Sequence, residues 1–369
     1  MTSIAVIRSA PELDGYANEW NALLEKSQPN EVFLTWEWIS SWVRETATGD
    51  KLCVIAVRSD GELIALAPLW MEKVHYRGVV ELRVLRPLGF GISDYFDWIV
   101  RADRMVEGTT AIWEHLFGPL RREWDVFDYS EVPESSPVLA ELSKLAVKDH
   151  RSAAAELAKR TVCSYIVLPG SWEEFLRHCH RDRRYFCTYS RRRLGQEGDL
   201  RVQFCERTDE LRDQMSDLIA LNKASWRERG GSASFSSASL ERFHHRVAQE
   251  FLKIGRLLLC RLSLNGQHIG SFYGFQYNHK AYYYISAVKR HPVSRINVLN
   301  ALLGFCVEEA ARRNCREFDF LRGDEEYKAR WTDLRRQNVS IHFYNRGMKA
   351  TLILSYRKYR NRANHRRTA

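Results

Sequence analysis

The chain has 369 residues, more than one typical hydrophobic core accommodates and enough for two domains of ordinary size. Its composition, 45% apolar and 28% charged, is that of a water-soluble globular protein, and no run approaches the roughly 18 apolar residues that a membrane span needs. The net charge of +10 is uneven: residues 1–165 hold 18 Lys and Arg against 25 Asp and Glu, whereas residues 166–369 hold 38 against 21. The C-terminal part therefore presents a positive field, which serves solubility alone or suits an anionic partner such as CoA phosphates, tRNA or an acidic membrane surface.

In chain order, Ile4–Ile7 reads as a strand with no signal-peptide character, followed by an amphipathic helix from about Ala10 to Lys26. A second helix carries Trp36, Trp38 and Trp42. Leu52–Arg58 and Leu63–Lys73 flank Ser59-Asp60-Gly61, a compact hairpin signal. Strands are expected at Leu82–Leu88 and, after Gly89 and Gly91, at Tyr95–Val100. A helix over Met105–Leu120 leads into a strand at Trp124–Val132, and helical patterns run from Ser136 to about Lys159.

The C-terminal part repeats this plan. A basic helix starts at Ser171-Trp172-Glu173-Glu174, which has the form of a capping box. Helices are expected at Thr208–Arg229 and Ala238–Ile254. A hairpin follows, with Arg256–Leu262, a turn at Leu264-Asn265-Gly266 and His268–Gln276, then a strand at Ala281–Val288. A helix from about Ile296 to Arg313 presents Leu299, Leu302, Leu303, Cys306 and Ala310 on one face, and a strand at Glu317–Leu321 ends the repeat. Two local matches support duplication. Ser59-Asp-Gly61-Glu-Leu-Ile64 resembles Leu264-Asn-Gly266-Gln-His-Ile269, and Arg121-Arg122-x4-Phe127-Asp128-Tyr129 resembles Arg312-Arg313-x4-Phe318-Asp319-Phe320. Domains are accordingly expected at 1–165 and 166–345, with a basic segment at 346–369. The eight cysteines are scattered, without metal spacing, which predicts reduced thiols and no metal site.

The densest chemical cluster is Glu317-Phe-Asp319-Phe-Leu-Arg322-Gly323-Asp324-Glu325-Glu326-Tyr327-Lys328. A strand ends, a glycine turns the chain, and a helix is expected from Asp324. Open α/β sheets place ligands at such carboxyl ends of strands. The alternative is an N-capped helix with solvated charges. Connection of Asp319, Arg322, Asp324 and Lys328 in one charge network distinguishes a site from a simple helix start.

This cluster resembles the signature of the CelD-like branch of the GNAT superfamily, often labelled BioF-like acetyltransferases. Phe33-Leu-Thr-Trp36-Glu-Trp38, Ala67-Pro68-Leu69, Ser93-Asp94-Tyr95-Phe-Asp97 and the arginine-rich block 181–193 resemble further landmarks of that family. The resemblance spans about residues 30 to 335. It implies an α/β fold with mixed sheets, two tandem GNAT-like domains similar to the Fem peptidyltransferases, and cytoplasmic acyl transfer. The donor so implied is acyl-CoA, and the acceptor an amine or hydroxyl on a small molecule or a sugar-, lipid- or peptide-linked precursor. An aminoacyl-tRNA-dependent transferase and a non-catalytic accessory protein of polysaccharide biosynthesis are the alternatives.

Expected roles follow position. Arg290, Ser294, Arg295 and Asn297, where the long helix begins, form the candidate site for donor phosphates, although this stretch lacks the glycines usual in CoA-binding members. The resemblance gives Tyr327 the place of the leaving-group acid. Arg322 and Lys328 are candidates to bind phosphate or stabilise negative charge, against a salt-bridge reading. Asp94 is a candidate acceptor base, and Asp319, Asp324, Glu325 and Trp226 are candidate substrate contacts. The basic segments leave open contact with tRNA or with an anionic membrane, and no motif for sequence-specific DNA binding is present.

Overall fold

The computed structural model describes residues 1–46, 51–76, 78, 80–149, 152–228, 234–293, 295–347 and 349. The chain forms two compact units. One takes Met1–Val43, the described part of Ala47–Thr161 and the chain from Gln337 onward; the other takes Arg44–Thr46 and Val162–Arg336.

The first unit opens with β1 (Thr2–Ile7), which pairs antiparallel with β2 (Val54–Ser59). Between them lie α1 (Ala10–Asp14), α2 (Ala17–Glu25) and α3 (Trp36–Thr46). The single helix expected over 10–26 is thus two, separated at Gly15 and Tyr16. A two-residue turn, Asp60 (φ 50°) and Gly61 (φ 85°), closes the hairpin of β2 with β3 (Glu62–Ala67), as its sequence predicts. The apolar run expected to continue to Lys73 breaks at Pro68, which has no N–H for a ladder. The chain leaves one sheet there and enters another as β4 (Leu69–Tyr76). β5 (Val80–Pro87) follows, then β6, which is only Ile99–Val100, so the strand expected from Tyr95 is largely loop. α4 (Met105–Phe117) and β7 (Val126–Pro133) complete the helix-to-strand passage.

α5 (Pro137–Lys148) is capped by Ser136, but the helical pattern expected to run on to Lys159 gives way to β8 (Ser152–Val167). Ser-Ala-Ala-Ala-Glu-Leu-Ala-Lys favours helix locally, and tertiary pairing overrides so weak a preference. The unit's sheets have the orders β1-β2-β3-β6 and β4-β5-β7-β14. Trp98, Trp113, Phe117, Trp124 and Phe127 are fully buried at its centre. β14 (Arg335–Asn345) pairs with β7 from Asn338↔Pro133 to Tyr344↔Val126, and its Val339 and Phe343 enter this same core. Burial of that apolar face returns β14 to the first unit, beyond what a division at 165 anticipates.

The second unit starts with the Val162–Val167 end of β8. The basic helix is broken into α6 (Trp172–His178), whose cap Ser171 accepts from the Glu174 N–H, and α7 (Arg181–Glu197). Next come β9 (Leu200–Phe204), α8 (Thr208–Glu228) and α9 (Ala238–Lys253). β10 (Leu257–Leu264) and β11 (Gln267–Tyr277) form a hairpin over Asn265 (φ 50°) and Gly266 (φ 76°), the same turn as in the first unit. β12 (Lys280–Val288), α10 (Val298–Arg312), β13 (Glu317–Arg322) and α11 (Glu326–Trp331) follow. The sheet runs β8-β13-β12-β11-β10-β9. All its neighbours are antiparallel except β12 and β13, which are joined across α10 as a parallel pair. Leu302, Leu303, Cys306 and Ala310 of α10 are buried against this sheet, on the face expected from their spacing.

Candidate active site

The parallel pairing of β12 with β13 covers only Lys280–Tyr282 against Glu317–Asp319. Beyond it, β12 continues along β11 to Val288, and β13 turns to pair through Arg322 with Cys163. The strands therefore part at their carboxyl ends, where a ligand can enter between them. Aromatic residues stand at the fork: Tyr283 has its ring centroid 6.1 Å from Phe320 and 6.4 Å from Tyr327. The Tyr283 hydroxyl lies 2.5 Å from Ser286 Oγ and within hydrogen-bonding reach of Tyr327. Burial, then the neighbouring Tyr283 hydroxyl, pushes the Tyr327 phenol far above its usual range. It stays protonated and can donate a proton or a hydrogen bond, but it cannot serve as a base.

A bulge shapes β12 beside this group. Tyr273 faces Ile285 whereas Gly274 faces Tyr283, so Tyr284 is an extra residue that kinks the strand. The kink depends on Gly274, because a Cβ there would lie 2.1 Å from the Tyr282 carbonyl oxygen and 2.8 Å from the Phe272 ring. Gly274→Ala is expected to cost about 1–3 kcal/mol, the range for overpacking a tight interior, and to displace Tyr283. Urea unfolding and near-ultraviolet circular dichroism read both effects; an unchanged midpoint would mean that the strands do not approach so closely. A glycine within Phe272-Tyr273-Gly274-Phe275 is itself a sequence sign of a bulge or close backbone approach.

The residues of the cluster after β13 make the following contacts. Asp319 is fully buried; its Oδ1 accepts from the Leu321 N–H at 2.7 Å, and its Oδ2 lies 3.8 Å from Arg336. That carboxylate holds Leu321 in a left-handed conformation (φ 57°), which ends the strand. Lys328 is buried, and its ammonium donates to the Arg322 carbonyl at 2.8 Å and pairs with Glu325 at 2.8 Å. Further contacts at 3.4 Å and 3.5 Å reach the carbonyls of Leu321 and Gly323. Lys328 thus ties the turn to α11, instead of facing solvent with a free charge for phosphate. Gly323 (φ 120°) suits this turn because L side chains rarely adopt that backbone conformation. Asp324 is exposed and pairs with Arg335 at 3.2 Å. Arg322 is half-buried, with its carbonyl held by Lys328. The helix begins at Glu326, with Glu325 as its cap residue, slightly later than expected.

The expected phosphate site lies at the β12–α10 junction. A cavity of about 300 Å³ is lined there by Asn265, Gln267, Lys289, Arg290, His291 and Pro292, among others. Arg290 and Arg295 are exposed, and neither has an ion-pair partner among the described residues. Asn297 takes another role: its side chain caps α10 by accepting from the Asn300 N–H at 3.0 Å, and its own N–H donates to Ser190. Ser294 lies outside the described residues. His291 Nδ1 accepts from the Val293 N–H, so Nε2 carries the proton and donates to Glu197 at 2.8 Å, which fastens the junction to α7. Trp226 is half-buried near the end of α8. Asp94 is buried in the first unit, next to Ser93, whose Oγ accepts from Trp38. Tyr283, Ser286, Lys289, His291 and Gly274 are the site residues that position in the sequence alone did not single out.

No group of three or more His, Cys, Asp or Glu able to hold a metal occurs among the described residues, and no helix of those residues is long and apolar enough to cross a membrane. Residues 181–329 match the family described as acetyltransferase (GNAT) domain. No curated protein sequence matches the chain. Among solved structures, FemX superposes with a TM-score of 0.62 at 12% identity, covering 89% of this chain and 96% of its own. L-PGS from Bacillus licheniformis superposes at 0.55 with 14% identity, covering 92% and 96%. These matches are too distant in sequence to carry more than the fold. The forked parallel pair and the kinked β12 lie within the matched residues, so the second unit carries a GNAT acetyltransferase domain, in a chain that shares its fold with FemX.

Proposed function

We propose that the second unit transfers an acyl group from acyl-CoA to an amine or hydroxyl of a sugar-, lipid- or peptide-linked acceptor in the cytoplasm. The observation that carries this reading is the pair of buried Tyr283 and half-buried Tyr327 at the fork of β12 and β13, close in sequence to a cationic cavity at the β12–α10 junction. Arg290, Arg295 and Lys289 meet the donor phosphates by charge-assisted contacts, supplying what a glycine-rich turn would otherwise give. The thioester then lies along the kinked part of β12, where backbone N–H groups polarise the carbonyl. The acceptor nitrogen or oxygen forms its bond to the acyl carbon and sheds its proton to solvent. The C–S bond breaks, and Tyr327 protonates the departing sulfur. Tyr283 and Ser286 orient that phenol. Lys328 and Asp319 act behind it by holding the strand end and α11 in place.

One observation favours an aminoacyl-tRNA donor as the second reading: every position from 290 to 297 bears a side chain, which hinders close approach of a pyrophosphate to the backbone. FemX shares the fold, which keeps this donor in view without deciding for it.

Calorimetric titration with CoA, acetyl-CoA and aminoacyl-tRNA separates the readings. Replacing Arg290 and Arg295 together by Ala removes two contacts of about 1.5–3 kcal/mol each, so donor affinity should fall about a hundred-fold or more. Tyr327→Phe should leave donor affinity near that of the parent and slow single-turnover transfer. If the double variant binds either donor as the parent does, the helix start is not the donor site. If the parent binds neither, the accessory-protein reading replaces this one.

A further inference from the structure

The arginine-rich helix α7 divides its charges between two tasks. Its inner face is built into the second unit: Cys187, Ser190 and Leu194 are buried, and Asn300 of α10 donates to the Phe186 carbonyl. Several arginines work for the fold. Arg191 pairs with Glu308 at 2.6 Å and stacks over Phe305 at 4.0 Å. Arg183 pairs with Asp333 at 2.6 Å, and Arg184 donates to the Leu176 carbonyl at the end of α6.

The outer face is different. Arg181, Tyr185 and Arg192 recur at spacings of four and seven, which places them on one stripe of the helix with Tyr189 at its edge. The guanidinium groups of Arg181 and Arg192 are exposed and have no partner among the described residues. Tyr185 is 58% exposed, and its ring lies 5.0 Å from that of Tyr189, tilted by 35°. Over eleven residues the two arginines stand about 16 Å apart along the axis, with the aromatic pair between them. Residues 177–193 carry seven Arg against one acid, Asp182.

We propose that this stripe is a docking surface for single-stranded nucleic acid, with bases stacked on Tyr185 and Tyr189 and phosphates held by Arg181 and Arg192. An exposed Tyr185 ring beside the half-buried Tyr189 ring, flanked by cations free of internal ion pairs, suits alternating bases and phosphates. A lipid surface fits less well, because the stripe offers no aliphatic side chain to insert and the apolar face of α7 is already buried in the unit. This inference goes beyond acyl transfer, and it stands or falls separately, since it concerns α7 rather than the fork of β12 and β13.

The test is fluorescence anisotropy of a labelled uridylate dodecamer with the full chain across a salt series. Tyr185→Ala with Tyr189→Ala should weaken binding about thirtyfold or more and leave the salt dependence unchanged, since stacking carries no charge. Arg181→Ala with Arg192→Ala should weaken it and flatten the log–log salt slope by about 1.4, the loss of two phosphate contacts on a single strand. All four side chains lie on the outer face or its edge, so thermal unfolding should match that of the parent and serves as the control. Absence of binding, or binding that neither pair alters, overturns the proposal. So does an effect of the arginine pair alone, which would describe an unspecific polyanion patch. Vesicles of equal parts phosphatidylglycerol and phosphatidylcholine provide the last arm: flotation lost in both variants, with dodecamer binding unchanged, would assign the stripe to a membrane.

Discussion

A His244→Phe variant is expected to lose most of the acid sensitivity of the second unit. His244 on α9 is 1% exposed and ringed by aromatic side chains, with centroids of Phe243 at 4.8 Å, Phe235 at 5.0 Å, Tyr284 at 5.5 Å and Tyr273 at 5.8 Å. Its Nδ1 has no hydrogen-bond partner. Burial, with a smaller contribution from the charge of His245, pushes the imidazole down to about 3. The folded protein thus holds a neutral ring while the unfolded chain titrates near its usual value of about 6.5. The associated stability is complete above pH of about 6.5 and is lost as the pH falls through about 3, by up to about 5 kcal/mol. A phenyl ring keeps the aromatic packing, removes the unsatisfied nitrogen and cannot bind a proton. Urea unfolding at about pH 4 and about pH 7, with hydrogen exchange followed in α9, β11 and β12, measures the difference. A variant that still loses stability on acidification as the parent does would show that His244 is not the group responsible.

Asp97→Asn is expected to act in the opposite sense, and in the first unit. Asp97 is 2% exposed, accepts from the Trp98 N–H at 2.8 Å and from the Tyr129 hydroxyl, and has its Oδ2 unpartnered. Burial outweighs the opposing pull of Ser136, Tyr129 and the Trp98 N–H and pushes the carboxyl up to about 7, with the nearby Glu31 acting in the same direction as burial. A raised folded-state value means that stability is complete below the unfolded value of about 3.9 and is lost as the pH rises through about 7, by up to about 4 kcal/mol. An amide stays neutral, and its oxygen keeps both accepted bonds. The stability of the variant relative to the parent should therefore grow between about pH 4 and about pH 7, by roughly 2–4 kcal/mol. Hydrogen exchange in β7 and α5 reports on this unit. A difference that is flat with pH would mean that Asp97 ionises normally in the folded chain.

Signals that operate over a few residues were legible in the sequence. Asp60-Gly61 and Asn265-Gly266 announced the two hairpins, because few other residue pairs adopt positive φ at both turn positions. The cap at Ser171 and the apolar face of α10 depend on spacings of three and four residues. Glu317–Lys328 stood out because a strand end, a glycine and a helix start are each local events. The same reasoning overextended the helix after Ser136, where an alanine-rich stretch has strong local preference and yet becomes β8.

The functions of individual side chains within that cluster were a different matter. Lys328 was a candidate to bind phosphate or stabilise negative charge and Asp319 a candidate substrate contact, and in the structure each contacts backbone groups of its own turn. Tyr283 and Ser286 carry no sequence mark, and they matter because the strands part where Tyr327 comes to lie beside them. Arg295 retains an exposed charge while Asn297 is occupied in capping, although the two are two residues apart. The sequence by itself determined the hairpins, the main amphipathic helices, the family resemblance and the position of the chemical cluster, since these rest on turn chemistry, periodicity and capping. Only the tertiary structure decided which charges are buried, which protons are held against their usual tendency, and that β14 completes the first core. Desolvation and cross-strand contact are set by atoms that lie far away along the chain, and no local pattern encodes them.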